Sequence, residues 1–577
     1  MGTGEQLHRS FEPDASRTAV GARGQVAHEV HIAHSTVLER RFYAVAPGVW
    51  CLVGNGLSNQ TFIDAPEGII AIDTGESTQE MVAALAELRA VTARPIVAVL
   101  YTHFHYVSGT AAIAAEAPER TLPIHGHERI AFNLRRAGAE IGPTYGRGIA
   151  EQFAVTMPTD GPDGVVNVGL GFYYRNPAHA PFTPGHLPVT HPFAGACTLQ
   201  VAGLTIEVQP APSDADDSVT YWFADLGVAV NNLVWPTLFN IFAIRGEEYR
   251  DPRVMLAGLD HLLALGAEHL VATHGPPISG AASIAQRVTG YRDSIQFLWD
   301  QTVRLANRGY SSVDIAHRVR LPEQCDLDYL TREHYGVAEH HVRQIRSGLF
   351  GFFDGDPANL FPLEPVEHAA RMITGFGGRV EVRRQADAAI AADDLRWAIE
   401  LASWLVRDAD DDTDAAAADR HLLAQGLRLV AQRTTAANIR NWCLTRALEL
   451  DGSIDNSRLS RHRFSARQLM AAPITESIRV LRVLVDPEAA DGIDTHLAWH
   501  FTDGTSAGLR IRNCVAVPTD GAGAATTLAC DPATWAAIVA GNVTLSAAIA
   551  DGSVRITGDQ AAAVRALACF DVEGLRA

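Results

Sequence analysis

Apolar positions along the chain fall into three successive textures. From Phe42 to Ala272 they come as short runs bounded by Gly, Pro and Asp. Phe42 to Val53 and Thr61 to Asp73 predict paired strands, the second ending in Gly68-Ile-Ile-Ala-Ile-Asp-Thr-Gly75. A helix is expected from about Ser77 to Ala93, a buried strand over Pro95–Leu100, a helix over 110–117 and a strand over Leu122–His125. Residues 158–196 form a long Gly/Pro-rich connection of the kind that makes lids or substrate walls. Strands resume at Cys197–Val208, Ser218–Phe223 and Gly227–Val230, after which helix 253–264 and strand 268–272 deliver His274. Apolar strands alternating with helices indicate layered α/β packing.

From about Ile284 the pattern changes to helical periodicity. Asp293–Arg308, Ser312–Val319, Pro365–Ile373, Val380–Ala391, Asp394–Val406 and Ala415–Gln432 read as helices, with Asp408–Asp414 a solvated loop. From about Ser465 a small α+β region follows: helix 465–484, strands His496–Phe501 and Gly508–Val515, helices 532–539 and 559–569. The expected organisation is an N-terminal arm (1–40), a layered α/β domain (41–283), a helical domain (284–450) and a C-terminal α+β domain (460–577).

The length, 577 residues, suits roughly three or four domains. Hydrophobic content of 47% with 20% charged is that of a soluble globular protein, and the formal charge of −19 excludes the concentrated basic face that nucleic acid requires. There is no lysine, so all 47 basic residues are arginine, which excludes Schiff-base and lysine-base chemistry. The seven cysteines are scattered and form no Cys-x-x-Cys pair, as expected of buried thiols in a reducing compartment. No run reaches the ~18 apolar residues of a membrane span, and Met1 to about Gly24 lacks the apolar core of a signal peptide. Cytoplasmic location is the expectation.

The chemistry concentrates in Tyr101-Thr-His-Phe-His-Tyr-Val-Ser-Gly109, where the buried strand ends. Two imidazoles at i and i+2 on such a turn can point at one cation. The stretch resembles the His-x-His-x-Asp-His signature of the metallo-β-lactamase superfamily, with Val107 and Ser108 where the second metal's Asp-His pair belongs. Further stretches resemble the alkyl sulfatase branch: Gly56-Leu-Ser-Asn-Gln-Thr61, Gly169-Leu-Gly171, Asn240-Ile-Phe-Ala-Ile-Arg-Gly246, Asp300-Gln-Thr-Val-Arg-Leu-Ala-Asn-Arg-Gly309, Phe353-Asp-Gly-Asp-Pro-Ala-Asn-Leu360 and Arg396-Trp-Ala-Ile-Glu-Leu-Ala402.

The resemblance implies an αββα catalytic sandwich, an all-α dimerisation domain and a C-terminal α+β domain like the sterol carrier proteins. It places metal ligands at His103, His105 and Asp214, the last in Ser213-Asp-Ala-Asp-Asp-Ser218, with Asp216 and Asp217 as fallbacks. The bridging acid falls on Asn232, and a second-metal histidine on His274 in Ala272-Thr-His-Gly-Pro276. Arg245 would face the sulfate group, and His340 would lie near the leaving group. His179, His186 and His191 of the long connection could replace missing ligands, and His125 and His127 read as a surface strand end.

With one carboxylate to offset it, a first divalent cation would repel a second, so one divalent metal or none is expected, zinc or alternatively iron. The leading expectation is a metal-dependent hydrolase cleaving a sulfate ester of an apolar alcohol as a homodimer, with Arg245 and Asn232 binding substrate and His274 and His340 moving protons. Its substrate would be a small molecule, anionic with an apolar tail. A mononuclear non-haem iron oxygenase built on two histidines and a carboxylate, or a non-catalytic ligand-binding homologue, are the alternatives.

Overall fold

The computed structural model describes residues 10–138, 140–409 and 414–576. They form two compact units, residues 1–134 with 144–456 and residues 135–143 with 457–577. The start of the N-terminal arm and Asp410–Thr413 of the expected solvated loop lie outside the described residues.

The first unit is built on two sheets. The predicted strand pair is four strands: Phe42–Val53 turns at Pro47-Gly48, giving Arg41–Ala46 and Val49–Val53, and Thr61–Asp73 turns at Pro66-Glu67, giving Gln60–Ala65 and Gly68–Ile72. Gly48 sits at φ 74°, a turn conformation that costs side-chain-bearing residues. These four strands run antiparallel. Ile96–Leu100, Ile124–His127 and His191–Phe193 then add in parallel, completing a seven-stranded sheet. A second, six-stranded sheet runs from Cys197–Val201 to Ile278–Ser279, with Val228–Asn231 and His269–Ala272 parallel at its centre.

The strands alternate, so one face of each sheet is apolar and the two faces meet. Val49, Ile63, Ile70 and Leu100 of the first sheet share a core with Ile206, Val219, Tyr221 and Val271 of the second. Helix Thr78–Val91 follows the first sheet, its N-terminus capped by the Ser77 hydroxyl. Helix Pro252–Ala264 buries Met255, Leu259 and Leu262 beside Ala229 and Leu270 of the second sheet. Helices outside, sheets inside: this is the expected αββα sandwich.

The expected boundary at residue 284 falls inside a single helix, Ala281–Ala306. Its Ile284, Val288, Tyr291, Ile295 and Leu298 belong to the same core as Leu233 and Leu259, so this helix packs with the sandwich. The arm is likewise more than an arm. Thr18–Val20 and Val26–His28 form a two-stranded sheet followed by helix Glu29–His34, and the hydroxyl of Ser10 donates to Glu339. Helices Ala338–Phe350 and Ala437–Leu450 escaped the periodicity reading. The second buries Asn438, Arg440, Asn441 and Thr445, so its apolar stripe is interrupted by polar residues that only a polar neighbourhood can accept.

The second unit is a five-stranded sheet in which Thr495–Phe501 is central, flanked by Ser506–Arg512 antiparallel and Thr526–Cys530 parallel. Trp499 and Trp535 meet edge to face at 5.3 Å in its core. The expected helix 465–484 is broken at Pro473 into Ala466–Met470 and Thr475–Arg479, with a tighter turn over Val480–Val483. Among the described residues no helix is long and apolar enough to cross a membrane, and all seven cysteines are unpaired.

Four histidines gather beside the N-terminal helix: His28, His31, His34 and His334 are all buried. His34 and His334 stack at 3.9 Å, and His34 Nε2 donates to the Gly169 carbonyl at 2.9 Å. Burial pushes His34 down to about 4, so it is neutral when folded, whereas in the unfolded chain it protonates near 6.5. Between those values the unfolded state binds the extra proton, so this contribution is complete above pH 6.5 and is lost as pH falls toward 4. Relative to His34→Gln, the wild type should lose roughly 3 kcal/mol of stability between pH 7 and pH 4, read from urea unfolding at each pH; parallel profiles would refute the assignment.

Candidate metal centre

Strand Ile96–Leu100 is buried except at half-buried Val97 and ends where Tyr101-Thr102 turn into a short 3-10 segment, Phe104–Tyr106. The turn breaks strand alternation and lets His103 and His105 point the same way. His103 Nε2 and His105 Nδ1 lie 3.1 Å apart. Asp214, on the loop before strand Val219–Phe223, brings Oδ2 to 2.6 Å from His105 Nδ1 and 3.4 Å from His103 Nε2. All three donor atoms lie within 4.8 Å of one another. A tetrahedral cation with bonds of ~2.0–2.2 Å places its ligands roughly 3.3 Å apart, so this triangle fits one cation.

The surrounding groups hold the triangle in place. Asp73 accepts from the Thr102 amide (2.9 Å) and the Thr102 hydroxyl (2.7 Å), and that hydroxyl lies 2.9 Å from His103 Nδ1. The imidazole is thus fixed through the nitrogen that faces away from the triangle. Burial pushes the Asp73 carboxyl up to about 7 against the Thr102 hydrogen bonds. On the other side, Arg250 donates to Asp214 Oδ1 and to the Asn240 carbonyl. Burial opposes the Asp214 charge, but Arg250, with His105 and His103, outweighs it and holds the carboxyl well below its usual range. His105 is pushed down by burial, against the pull of Asp214, which keeps a lone pair available for a cation.

Arg245 enters from the same segment. One guanidinium nitrogen donates to the Tyr145 hydroxyl and to Glu247, both at 2.6 Å, while the other lies 3.9 Å from Asp214. The Nε–H groups of Arg245 and Arg250 are buried and have no hydrogen-bond partner among the described residues. Tyr145 also lies 3.2 Å from His105 Nε2. Glu76 is buried near His105 and Arg175, its carboxyl raised by that burial. The sequence offered no motif for Tyr145, Arg250, Glu247 or Glu76. The Arg-Gly-Glu-Glu-Tyr-Arg run, ending at Arg250, was the one signal that could have found two of them.

Of the expected second-metal positions, 107, 108 and 232 carry neither an imidazole nor a carboxylate. Val107 is fully buried, and Ser108 uses its backbone on Gly75 and Gly185. Asn232 spends its amide on Ser218 Oγ (3.2 Å) and on the Trp235 indole N–H (3.2 Å). His274 lies at the site, but its Nδ1 donates to the Leu57 carbonyl (2.9 Å) and its Nε2 faces the Tyr106 hydroxyl (3.3 Å). Burial pushes His274 down to about 4, and Tyr106 and Trp235 close around it edge to face.

Other expected residues lie elsewhere. His340 is 3.4 Å from Ser10 Oγ and edge-on to Phe242, and none of its partners belongs to the triangle. Its neighbour His341 is the inward one, accepting from the Phe242 amide, because a helix turns adjacent residues about 100° apart. His179 binds the Asn55 carbonyl, His186 faces Tyr101, and His191 stacks on His125, so the long connection brings no histidine to the triangle. His125 and His127 are buried rather than at the surface. Asp216 pairs with Arg129 and Asn133, and Asp217 is fully buried, its carboxyl raised to about 8 by that burial.

An αββα sandwich presenting this histidine-carboxylate triangle at a strand end is a metallo-β-lactamase-type domain, and residues 53–192 match the metallo-beta-lactamase superfamily model. Residues 311–453 and 463–573 match the alkyl sulfatase dimerisation and alkyl sulfatase C-terminal models. The chain is 32% identical over 529 residues to a linear primary-alkylsulfatase from Pseudomonas sp., covering 89% of this chain and 98% of that protein. The alkyl/aryl-sulfatase BDS1 of Saccharomyces cerevisiae is 25% identical over 92% of this chain and 82% of its own. The solved stereoselective inverting sec-alkylsulfatase Pisa1 from Pseudomonas sp. superposes with a TM-score of 0.82 at 25% identity, over 96% of this chain and 93% of that one. The chain belongs to the alkylsulfatase family of the metallo-β-lactamase superfamily.

Replacing Arg250 by methionine removes the partner of a fully buried carboxylate. The metal-free protein should lose ~3–5 kcal/mol, and zinc should raise the melting temperature of the variant by more than that of the wild type, because the cation then supplies the missing charge. Equal melting of both metal-free proteins would show that Arg250 does not carry this charge.

Proposed function

We propose that this chain hydrolyses sulfate esters of apolar alcohols with one divalent cation per chain, held by His103, His105 and Asp214. The observation that carries the reading is the pairing of a three-ligand triangle with two buried guanidinium groups whose Nε–H donors are unspent. When bound, the cation supplies Lewis acidity, polarising the ester or acidifying a water. Arg245 and Arg250 supply planar donors suited to a tetrahedral oxyanion, with the Tyr145 hydroxyl beside Arg245. Burial at the site strengthens these contacts relative to water.

His274 is neutral with Nδ1–H committed to the Leu57 carbonyl, so its Nε2, beside the Tyr106 hydroxyl, is the lone pair that would take up a proton at the site. Asn232 would reach substrate only through what Trp235 and Ser218 leave of its amide, and His340 would need to act from outside the triangle. No imidazole or carboxylate stands at 107 or 108, and the His274 ring nitrogens are both engaged, which supports one metal rather than two. Zinc suits two imidazoles and a carboxylate. Iron would suit the same set, but the family likeness supports hydrolysis.

Seven unpaired cysteines, three of them raised to about 12 by burial, support a cytoplasmic protein. The match of residues 311–453 to a dimerisation model supports a homodimer through the helical domain, and the C-terminal unit is read as sterol-carrier-protein-like.

Metal analysis by inductively coupled plasma mass spectrometry should find close to one equivalent of zinc, and the protein should release sulfate from a medium-chain alkyl sulfate. In His103→Ala both metal content and sulfate release should fall at least 100-fold. Full metal retention would overturn the ligand assignment. Two equivalents would overturn the one-metal reading, and one equivalent of iron with oxygen consumption would move the chemistry to oxidation.

A further inference from the structure

Arg245, Gly246 and Glu247 make one tight turn. Gly246 takes a φ of 84° and its amide donates to the Ala243 carbonyl (2.9 Å), a left-handed turn that folds residue 247 back against residue 245. Glu247 Oε2 therefore lies 2.6 Å from Arg245 Nη1 and 3.9 Å from His105 Nε2, with its side chain only 4% exposed. Glu248, one position on, is exposed. The ligand triangle leaves Glu247 out, since its three donors come from His103, His105 and Asp214. A buried carboxylate persists only where a cation offsets its lost hydration. Here that cation is the guanidinium read above as a holder of the ester's oxyanion.

Glu247 and a bound oxyanion thus share one cation. Arg245 Nη1 already donates to the Tyr145 hydroxyl and to Glu247, its Nη2 lies 3.9 Å from Asp214, and Arg250 is paired with Asp214 as well. Two guanidinium groups face two carboxylates, so the fixed charge around the anion-binding donors is balanced before any ligand arrives. A further carboxylate, Glu76, is buried near His105 and Arg175, its carboxyl raised by that burial. The Arg245 Nε–H is buried and has no partner among the described residues. A ligand oxygen accepting from it at the usual ~2.8 Å comes within roughly 6 Å of the Glu247 carboxylate. At an effective dielectric of about 20, each extra negative charge at that distance is disfavoured on the order of 100-fold.

We propose that Glu247 is a specificity-determining residue that confines the site to esters carrying one negative charge and turns away dianionic esters of the same shape. This rests on the reading of Arg245 as an oxyanion-binding group and names the charge that it accepts. A sulfate monoester carries one negative charge. A phosphate monoester is equally tetrahedral but carries close to two above its second pKa of about 6. Shape and hydrogen-bond geometry barely separate the two, so the carboxylate on Arg245 tells them apart. A structural counter-ion out of the ligand's reach would leave that choice unaffected.

The test is isothermal titration calorimetry of the full chain as purified, at constant ionic strength and near pH 8, above the phosphate pKa. The ligands are octyl sulfate, octyl phosphate and octyl methyl phosphate, the last a phosphorus ester with one negative charge. In the wild type the two monoanions should bind comparably and the dianion at least 10-fold more weakly. Glu247→Gln removes the charge and keeps an acceptor, and in it octyl phosphate should gain at least 10-fold relative to both monoanions. A dianion that binds the wild type as tightly as the methyl ester overturns the proposal, and that comparison needs no variant to fold. An unchanged ratio in Glu247→Gln that is folded by circular dichroism also overturns it, while sulfate release by the wild type then leaves the ester-hydrolysis reading standing. A wild type that neither binds nor hydrolyses octyl sulfate overturns both.

Discussion

Asp214 carries the arrangement of the whole site. Its carboxylate is buried, and a buried charge persists only where partners outweigh its lost hydration. Arg250 takes one oxygen; His103 and His105 share the other. That division leaves one oxygen facing the two imidazoles, which is what a compact three-ligand cation site requires. The same contact pulls Arg250 across the carbonyl of Asn240, so the segment that carries Arg245 is fixed to the ligand triangle by the charge it helps to neutralise.

The second-metal region shows how the fold tolerates a lost ligand set. Valine at 107 is fully buried, and the asparagine at 232 is absorbed by Trp235 and Ser218. Tyr106 and His274 meet directly beside them. Each replacement is internally satisfied, so the region is a settled structure rather than a damaged one.

Much of the fold was legible in the chain because its elements carry strong local signals. Alternation and apolar runs marked the strands, and helical periodicity marked the helices. The failures have local reasons too. Two-residue turns inside long apolar runs joined strands that are separate, and Pro473 broke a helix whose periodicity continued across it. Helix Ala437–Leu450 was missed because its buried face carries Asn438, Arg440, Asn441 and Thr445. Its partners lie far along the chain, such as the Gln152 carbonyl for Asn441.

The site divides the same way. The sequence by itself determined that His103 and His105 stand together, since a strand end with two imidazoles at i and i+2 is a local pattern, and that residues 107 and 108 carry neither an imidazole nor a carboxylate. Only the tertiary structure decided which aspartate of the 214–217 run joins them, that Arg250 and Tyr145 complete the surroundings, and that His341 rather than His340 turns inward. Those outcomes depend on elements from four separate parts of the chain converging on one point. Side-chain chemistry says what a residue can hold, but packing decides what it faces.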